Sequence, residues 1–305
     1  MIITHKPKLV TRRRALKAFG VAPFIFGRTT FAPDPYTLTE YYPGGVNTGA
    51  EGTNAGNANA NGRTQRNGAL VSGQSTAVLV IFGQSNTCNV NPSSYTPTNA
   101  SVCDNFNIYD GGVYAATDPL LGCSTSTLGP GNPFLRLADT LITNSVFQRV
   151  ILVPAGIGGT TVAMWAADSY NRISVTFKRL AAASLTATAV LYQQGETDCG
   201  NGTSQSAYAA SLATFISTCR GNGYSGPIFI AESTWDGTAI STGIENAQIA
   251  AVTGGANGIW SLGNMDQNTT TWRQSGAGEP HLNDVGAAAW SSVMYTSLIA
   301  YGAPF

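Results

Sequence analysis

Histidine is nearly missing from this chain: its 305 residues include only two, His5 and His281. With so few, and with no CxxC pair among five cysteines, a clustered Cys/His zinc site is not expected. Lysine is just as scarce. Beyond residue 33 only Lys178 remains, so the basic patch that a nucleic acid would need is lacking, and nucleic acid is not an expected partner. Long apolar runs are missing too. The stretch from Ala18 to Gly27 falls far short of the roughly 20 residues that cross a bilayer, so no stable membrane span is expected.

Charged residues make up only 10% of the chain, and a formal net charge of zero hides how they are distributed. Seven basic residues, from Lys6 to Arg28, precede the first acidic one, Asp34. The remaining nine basic side chains share the body with all sixteen acidic ones, which makes that body mildly acidic. Thr11-Arg12-Arg13-Arg14-Ala15-Leu16-Lys17, followed by a modest apolar stretch, resembles a twin-arginine export signal; a plain basic tail is the alternative. Residues 1–32 are therefore read as an address, set apart from the fold, that sends the protein to the periplasm or the exterior. An oxidising destination would allow two disulfides and one free thiol. Proximity in sequence suggests Cys103 with Cys123 and Cys199 with Cys219, leaving Cys88.

What is plentiful is glycine, with 35 residues, and apolar side chains at 43%. Residues 33–76 are rich in Gly, Asn, Thr and Ala with few large apolar groups, the composition of a linker or an arm lying on the domain. The pattern then changes. Ala77-Val78-Leu79-Val80-Ile81-Phe82 is a continuous apolar run, as a strand buried on both faces requires. Comparable runs recur at Arg149–Val153, Thr188–Tyr192, Pro227–Ala231 and, more weakly, Gly258–Leu262. Between them Phe134, Leu137, Ala138 and Leu141 follow helical spacing, as do Tyr208, Leu212, Phe215, Ile216 and Cys219, and Trp290, Val293, Met294 and Leu298. Asn283 or Asp284 is placed to cap the last helix. Alternating strands and helices imply an α/β fold, a three-layer α/β/α sandwich of flavodoxin-like kind with a parallel sheet of about five strands.

In such sheets the chemistry gathers just past the carboxyl ends of the strands. After the first run comes Gly83-Gln84-Ser85-Asn86, where a glycine permits a tight turn and Ser85 would open a helix. An N-cap role explains an isolated serine as well. After the second comes Pro154-Ala155-Gly156-Ile157-Gly158-Gly159-Thr160, whose glycines let main-chain amides approach a ligand. After the third comes Gln193-Gln194-Gly195-Glu196-Thr197-Asp198. There a Gln194 amide could meet a developing oxyanion, and Glu196 could be catalytic or could brace the loops. Near the C-terminus, Gly278-Glu279-Pro280-His281-Leu282-Asn283-Asp284 places the one histidine of the body in a polar loop.

Taken in this order, these blocks resemble the SGNH (GDSL-type) hydrolases, and within them the sialate O-acetylesterase-like and plant-type carbohydrate acetylesterases. The resemblance covers about Ala77 to Ala300 and frames residues 77–305 as the hydrolase domain. Its carriers are Gly83-Gln84-Ser85-Asn86, Gly158-Gly159-Thr160 with Trp165, Gln194-Gly195-Glu196-Thr197-Asp198, and His281-Leu282-Asn283-Asp284-Val285-Gly286. It implies a serine esterase that removes acetyl groups, with a carbohydrate as substrate and with no metal or organic cofactor. Ser85 would be the nucleophile and His281 the base. The Ser85, Gly158 and Gly159 amides and the Gln194 side chain would form the oxyanion hole, and Gln84, Asn86, Trp165 and Glu196 would contact substrate. The family usually has Asp three residues before the histidine, a position held here by Gly278, so either Glu279 orients the imidazole or a backbone carbonyl does, in a Ser–His dyad. Two rival readings keep the fold: an SGNH esterase or lipase for a non-carbohydrate ester, and an inactive glycan-binding module.

Overall fold

The apolar run at residues 77–82 becomes the centre of the sheet. The computed structural model describes residues 56–254, 258–274 and 279–302, so the expected export signal and residues 33–55 of the arm lie outside the described residues. Among these, seven strands form one sheet: β1 (Thr76–Gly83), β2 (Cys103–Phe106), β3 (Val113–Ala115), β4 (Arg149–Pro154), β5 (Ala189–Gln193), β6 (Ile228–Glu232) and β7 (Ile259–Asn264). Their spatial order is β3-β2-β4-β1-β5-β6-β7, with β3 antiparallel to β2 and every other pairing parallel. Along β1, Val78, Val80 and Phe82 enter one core while Ala77, Leu79 and Ile81 enter the other. A strand whose two faces are both covered must be apolar at every position, and this one is.

The helices divide between the two faces. α1 (Pro133–Thr143) and α7 (Asp284–Tyr301) pack one core through Phe134, Leu137 and Leu141, and through Trp290, Met294 and Leu298. α2 (Val162–Ala166), α3 (Arg172–Ala182), α5 (Gln205–Gly221) and α6 (Thr242–Ala251) pack the other, with Trp165, Phe177, Phe215 and Ala247 among the buried contacts. The short α4 (Glu196–Gly200) follows β5. Asn283 is the cap of α7, its side chain accepting from Gly286 N at 2.8 Å.

Three expectations need correction. The sheet has seven strands, not about five: the five apolar runs are all present, and β2 and β3 extend one edge. β2 reads Cys-Asp-Asn-Phe, too polar to resemble a buried strand. It is buried because Asp104 is neutralised by Arg149, 2.8 Å away on β4. Neither expected cysteine pair is joined in the structure. Cys103 sits within β2, Cys219 is buried on α5 and Cys199 donates to Ala239 O, while Cys123 lies against Cys88. Finally, Ser85 opens a single 3-10 turn (Ser85–Thr87), not a helix long enough for a macrodipole to act.

The described part of the arm runs along the sheet edge, with Ala115 N donating to Thr64 O and Arg66 N to Val113 O, both at 2.8 Å. Nearby, the loop after β3 is tied down by Asp118, which accepts from Tyr95 N at 2.9 Å and Asn132 N at 3.3 Å. Burial pushes the Asp118 carboxyl up to about 7, against the pull of those bonds and of Arg136 and Arg63. A raised carboxyl pKa favours the folded state while the group is protonated, and that advantage is lost as pH rises through the folded value. Wild-type melting temperature should therefore fall relative to that of Asp118→Asn between about pH 4 and pH 7, as followed by thermal denaturation. Parallel curves for the two proteins would contradict this.

Candidate functional site

Gly83 ends β1 with φ near +143°, and a Cβ there would lie 1.9 Å from Gln193 O, so only glycine fits. The tight exit carries the chain straight into the Ser85 turn. Ser85 is partly exposed, whereas Gln84 and Asn86 on either side of it are buried. In front of Ser85 lies a cavity of about 650 Å³. Ser85, Gly158, Gly159 and His281 border it together with Gln84, Glu196, Ser124, Thr125, Ser126, Asp236 and Thr238. Segments that follow β1, β4, β5 and β6 thus meet at the carboxyl ends of those strands, joined by residues 124–126 and 280–281, where the strand connections diverge to opposite sides of the sheet.

Glu279 Oε1 contacts Nδ1 of His281, forming an ion pair if the ring is protonated. With Nδ1 taken up in this way, Nε2 is the ring nitrogen left to exchange a proton with a substrate or a hydroxyl. Gly278, the position where the resembled family has Asp, lies outside the described residues. The backbone on both sides of His281 is gripped by Asn86. Its Nδ2 donates to Pro280 O at 3.3 Å and its Oδ1 accepts from Leu282 N at 3.1 Å. The same Nδ2 donates to Glu196 Oε1 at 2.9 Å. Arg273 adds a second hold, donating to Pro280 O at 2.7 Å while paired with Asp266 at 3.0 Å.

Several residues expected to face substrate do other work. Gln194 is fully buried and spends its amide on Gln84 Oε1, Thr160 O and Asp198 Oδ2, at 3.1, 3.1 and 2.6 Å. It does not border the cavity, and that placement withdraws it from the oxyanion hole. Gln84 Oε1 also accepts from Gly195 N and Thr197 N, so its role is to lock the loop after β5 to the Ser85 turn. Asn86 braces the histidine loop and is too buried to read a substrate. Trp165 lies in the core against Phe82, Tyr192 and Phe215, with its indole N–H donating to Thr160 Oγ1, and offers no stacking face. Glu196 borders the cavity but is almost fully buried, accepting from Asn86 and, at 2.5 Å, from Gln193 Nε2. Burial pushes its carboxyl above the ordinary range, with the Asn86 bond opposing.

The motif reading passed over two groups. Arg273 and Asp266 sit in no recognisable block, and only the scarcity of arginine in the body marks the first. Asp236 and Thr238 follow β6, where the strand-end rule alone would have placed them. Burial would raise the Asp236 carboxyl, but hydrogen bonds from Ala239 N and from Thr238 bring it below its ordinary value.

A sequence model of the family described as carbohydrate esterase, sialic acid-specific acetylesterase matches residues 75–233, slightly more than half of the chain. The chain belongs to this family. The match includes Ser85 and the Gln194–Asp198 block and stops before His281. No curated protein matches the chain by sequence. Among solved structures, a protein from Arabidopsis thaliana superimposes with a TM-score of 0.58 at 14% identity, over 74% of this chain and 98% of that one. A carbohydrate acetylesterase from Xanthomonas citri gives 0.50 at 13% identity, over 75% of this chain but only 57% of that one. At such identities these likenesses speak for the fold alone, and both agree with the α/β sandwich of the family.

If Asn86 holds the histidine loop, Asn86→Ala should leave the Leu282 amide without its acceptor. Hydrogen exchange at Leu282 should then speed up about tenfold or more, with a stability loss of about 1–3 kcal/mol for the stranded buried groups. An unchanged exchange rate in a folded variant would show that the loop is held by other contacts.

Proposed function

We propose that this protein is a serine esterase that removes acetyl groups from neutral carbohydrates, with Ser85 as nucleophile and His281 as general base. The observation that carries the reading is the convergence of Ser85 and His281 on one cavity, with Glu279 on Nδ1 of the imidazole. His281 Nε2 takes the Ser85 proton as Oγ attacks the ester carbonyl, and Glu279 stabilises the imidazolium that results. The Ser85, Gly158 and Gly159 amides are the donors for the oxyanion of the tetrahedral intermediate. The imidazolium then protonates the departing sugar hydroxyl. Water activated by the same nitrogen releases acetate from Ser85.

The lining of the cavity favours a hydroxylated acceptor over a lipid. Its side chains are mainly hydroxyls, amides and carboxylates, with Val90 the one large aliphatic group among the described residues. No lysine or arginine borders the cavity among the described residues, and residues 255–257 and 275–278 contain none. With Asp236 ionised at its edge, a carboxylated sugar would bring its negative charge to a site where the described residues offer no lysine or arginine to receive it. The sialic acid in the family's description is thus the less favoured substrate here, and an acetylated neutral glycan the better one. Residues 1–32, as an export signal, would take the enzyme to where such glycans occur.

Hydrolysis of p-nitrophenyl acetate should exceed that of the butyrate and longer esters, and Ser85→Ala or His281→Ala should reduce it about a thousandfold or more. Glu279→Gln should lower kcat by about tenfold or more with KM little changed. An acetylated xylo-oligosaccharide should be deacetylated faster than an O-acetyl sialic acid, with release of acetate as the readout. A folded wild-type protein inert toward all of these would favour the binding-module reading.

A further inference from the structure

Cys88 and Cys123 are the one pair of cysteines whose side chains meet among the described residues. Both are fully buried in the same core, where each thiol acts electrostatically on the other. The backbones beside them are paired. Asn89 N donates to Ser124 O at 3.0 Å, Ser126 N donates to Asn89 O at 3.1 Å, and Asn89 and Thr125 form a parallel bridge. The pairing sets Cys88 opposite Ser124 and one residue out of step with Cys123; with paired backbones roughly 5 Å apart and about 3.3 Å per residue, their Cα atoms lie about 6 Å apart on the diagonal, within the separation a disulfide spans. Asn132 fixes the pair from a third side, donating to Thr87 O at 3.2 Å and approaching Cys123 Sγ at 3.8 Å.

We propose that Cys88 and Cys123 are joined by a disulfide when the protein folds in an oxidising environment. Cys88 thiolate attacks the disulfide of an exchange partner such as oxidised glutathione, releasing one thiol and forming a mixed disulfide. Cys123 thiolate then attacks the Cys88 sulfur and releases the second thiol. Two protein thiols are thus oxidised to one disulfide while the partner's disulfide is reduced to two thiols, which take up the protons. Because both sulfurs are sealed in the core, the bond closes during folding. It would bind the nucleophile turn, where Cys88 N donates to Ser85 O at 2.8 Å, to the loop that brings Ser124, Thr125 and Ser126 to the cavity. The proposal does not depend on the esterase reading.

The test uses the full chain, produced in an oxidising compartment and shown to be folded by circular dichroism. Free thiols are alkylated in denaturant without reductant, and chymotrypsin, which cuts after Tyr95 and Phe106, separates Cys88, Cys103 and Cys123 for mass spectrometry. The expected result is a Cys88 peptide linked to a Cys123 peptide, with alkyl groups on Cys103, Cys199 and Cys219. Reduction should also lower the melting temperature of the wild type by roughly 5 °C or more, and should leave that of Cys88→Ser/Cys123→Ser unmoved. Five alkylated cysteines in the folded protein, or a bond that includes Cys103, would overturn the proposal.

Discussion

The site depends on how closely β1 and β5 end beside one another. Gly83 turns so near Gln193 O that no side chain fits, and Gly195, at φ near +157°, turns equally near Ser233 O. These two close approaches let the Gln84 side chain reach into the loop after β5 and accept three hydrogen bonds there. Ser85 is presented to the cavity because its neighbour is anchored in this way. A side chain at either glycine would force the two loops apart by more than a hydrogen bond can stretch.

Polar groups buried behind the cavity complete the arrangement. Asn86, Gln193 and Glu196 form one hydrogen-bonded set beneath the Ser85 turn, and Asn86 extends it to both sides of His281. The Arg273–Asp266 pair supports the same loop from the other side. Buried networks of this kind add little net stability, since desolvation offsets most of their attraction, but breaking one member is costly. They fix geometry. Here they hold the loop that carries His281 at the cavity that Ser85 also borders.

Much of this was legible in the sequence. The apolar run at 77–82 announced a strand buried on both faces, and the spacing of Phe134, Leu137 and Leu141 announced a helix packed on it. Polar burial was not legible, because it depends on partners far away in the chain. Asp104 makes β2 look like a loop until Arg149 is placed beside it. Gln194 follows a strand end, where the general rule expects substrate contacts, and Trp165 lies on the helix after the glycine block, yet both are buried in the protein. The cysteine pairing failed for a related reason: Cys123 is nearer to Cys103 in sequence, but the return of the chain alongside Asn89 delivers it to Cys88. Ser85 and His281 stood out because each lies in a short block whose chemistry needs few neighbours to be recognised, and both border the cavity.

The central claim is that Ser85 is a nucleophile activated by His281. Reaction of the folded protein with an alkyl fluorophosphonate, followed by peptide mapping, addresses it most directly. The account predicts one adduct per chain, on Ser85 Oγ, forming far more slowly when His281 is replaced by alanine. Absence of an adduct, or modification at another residue with Ser85 left untouched, would contradict it.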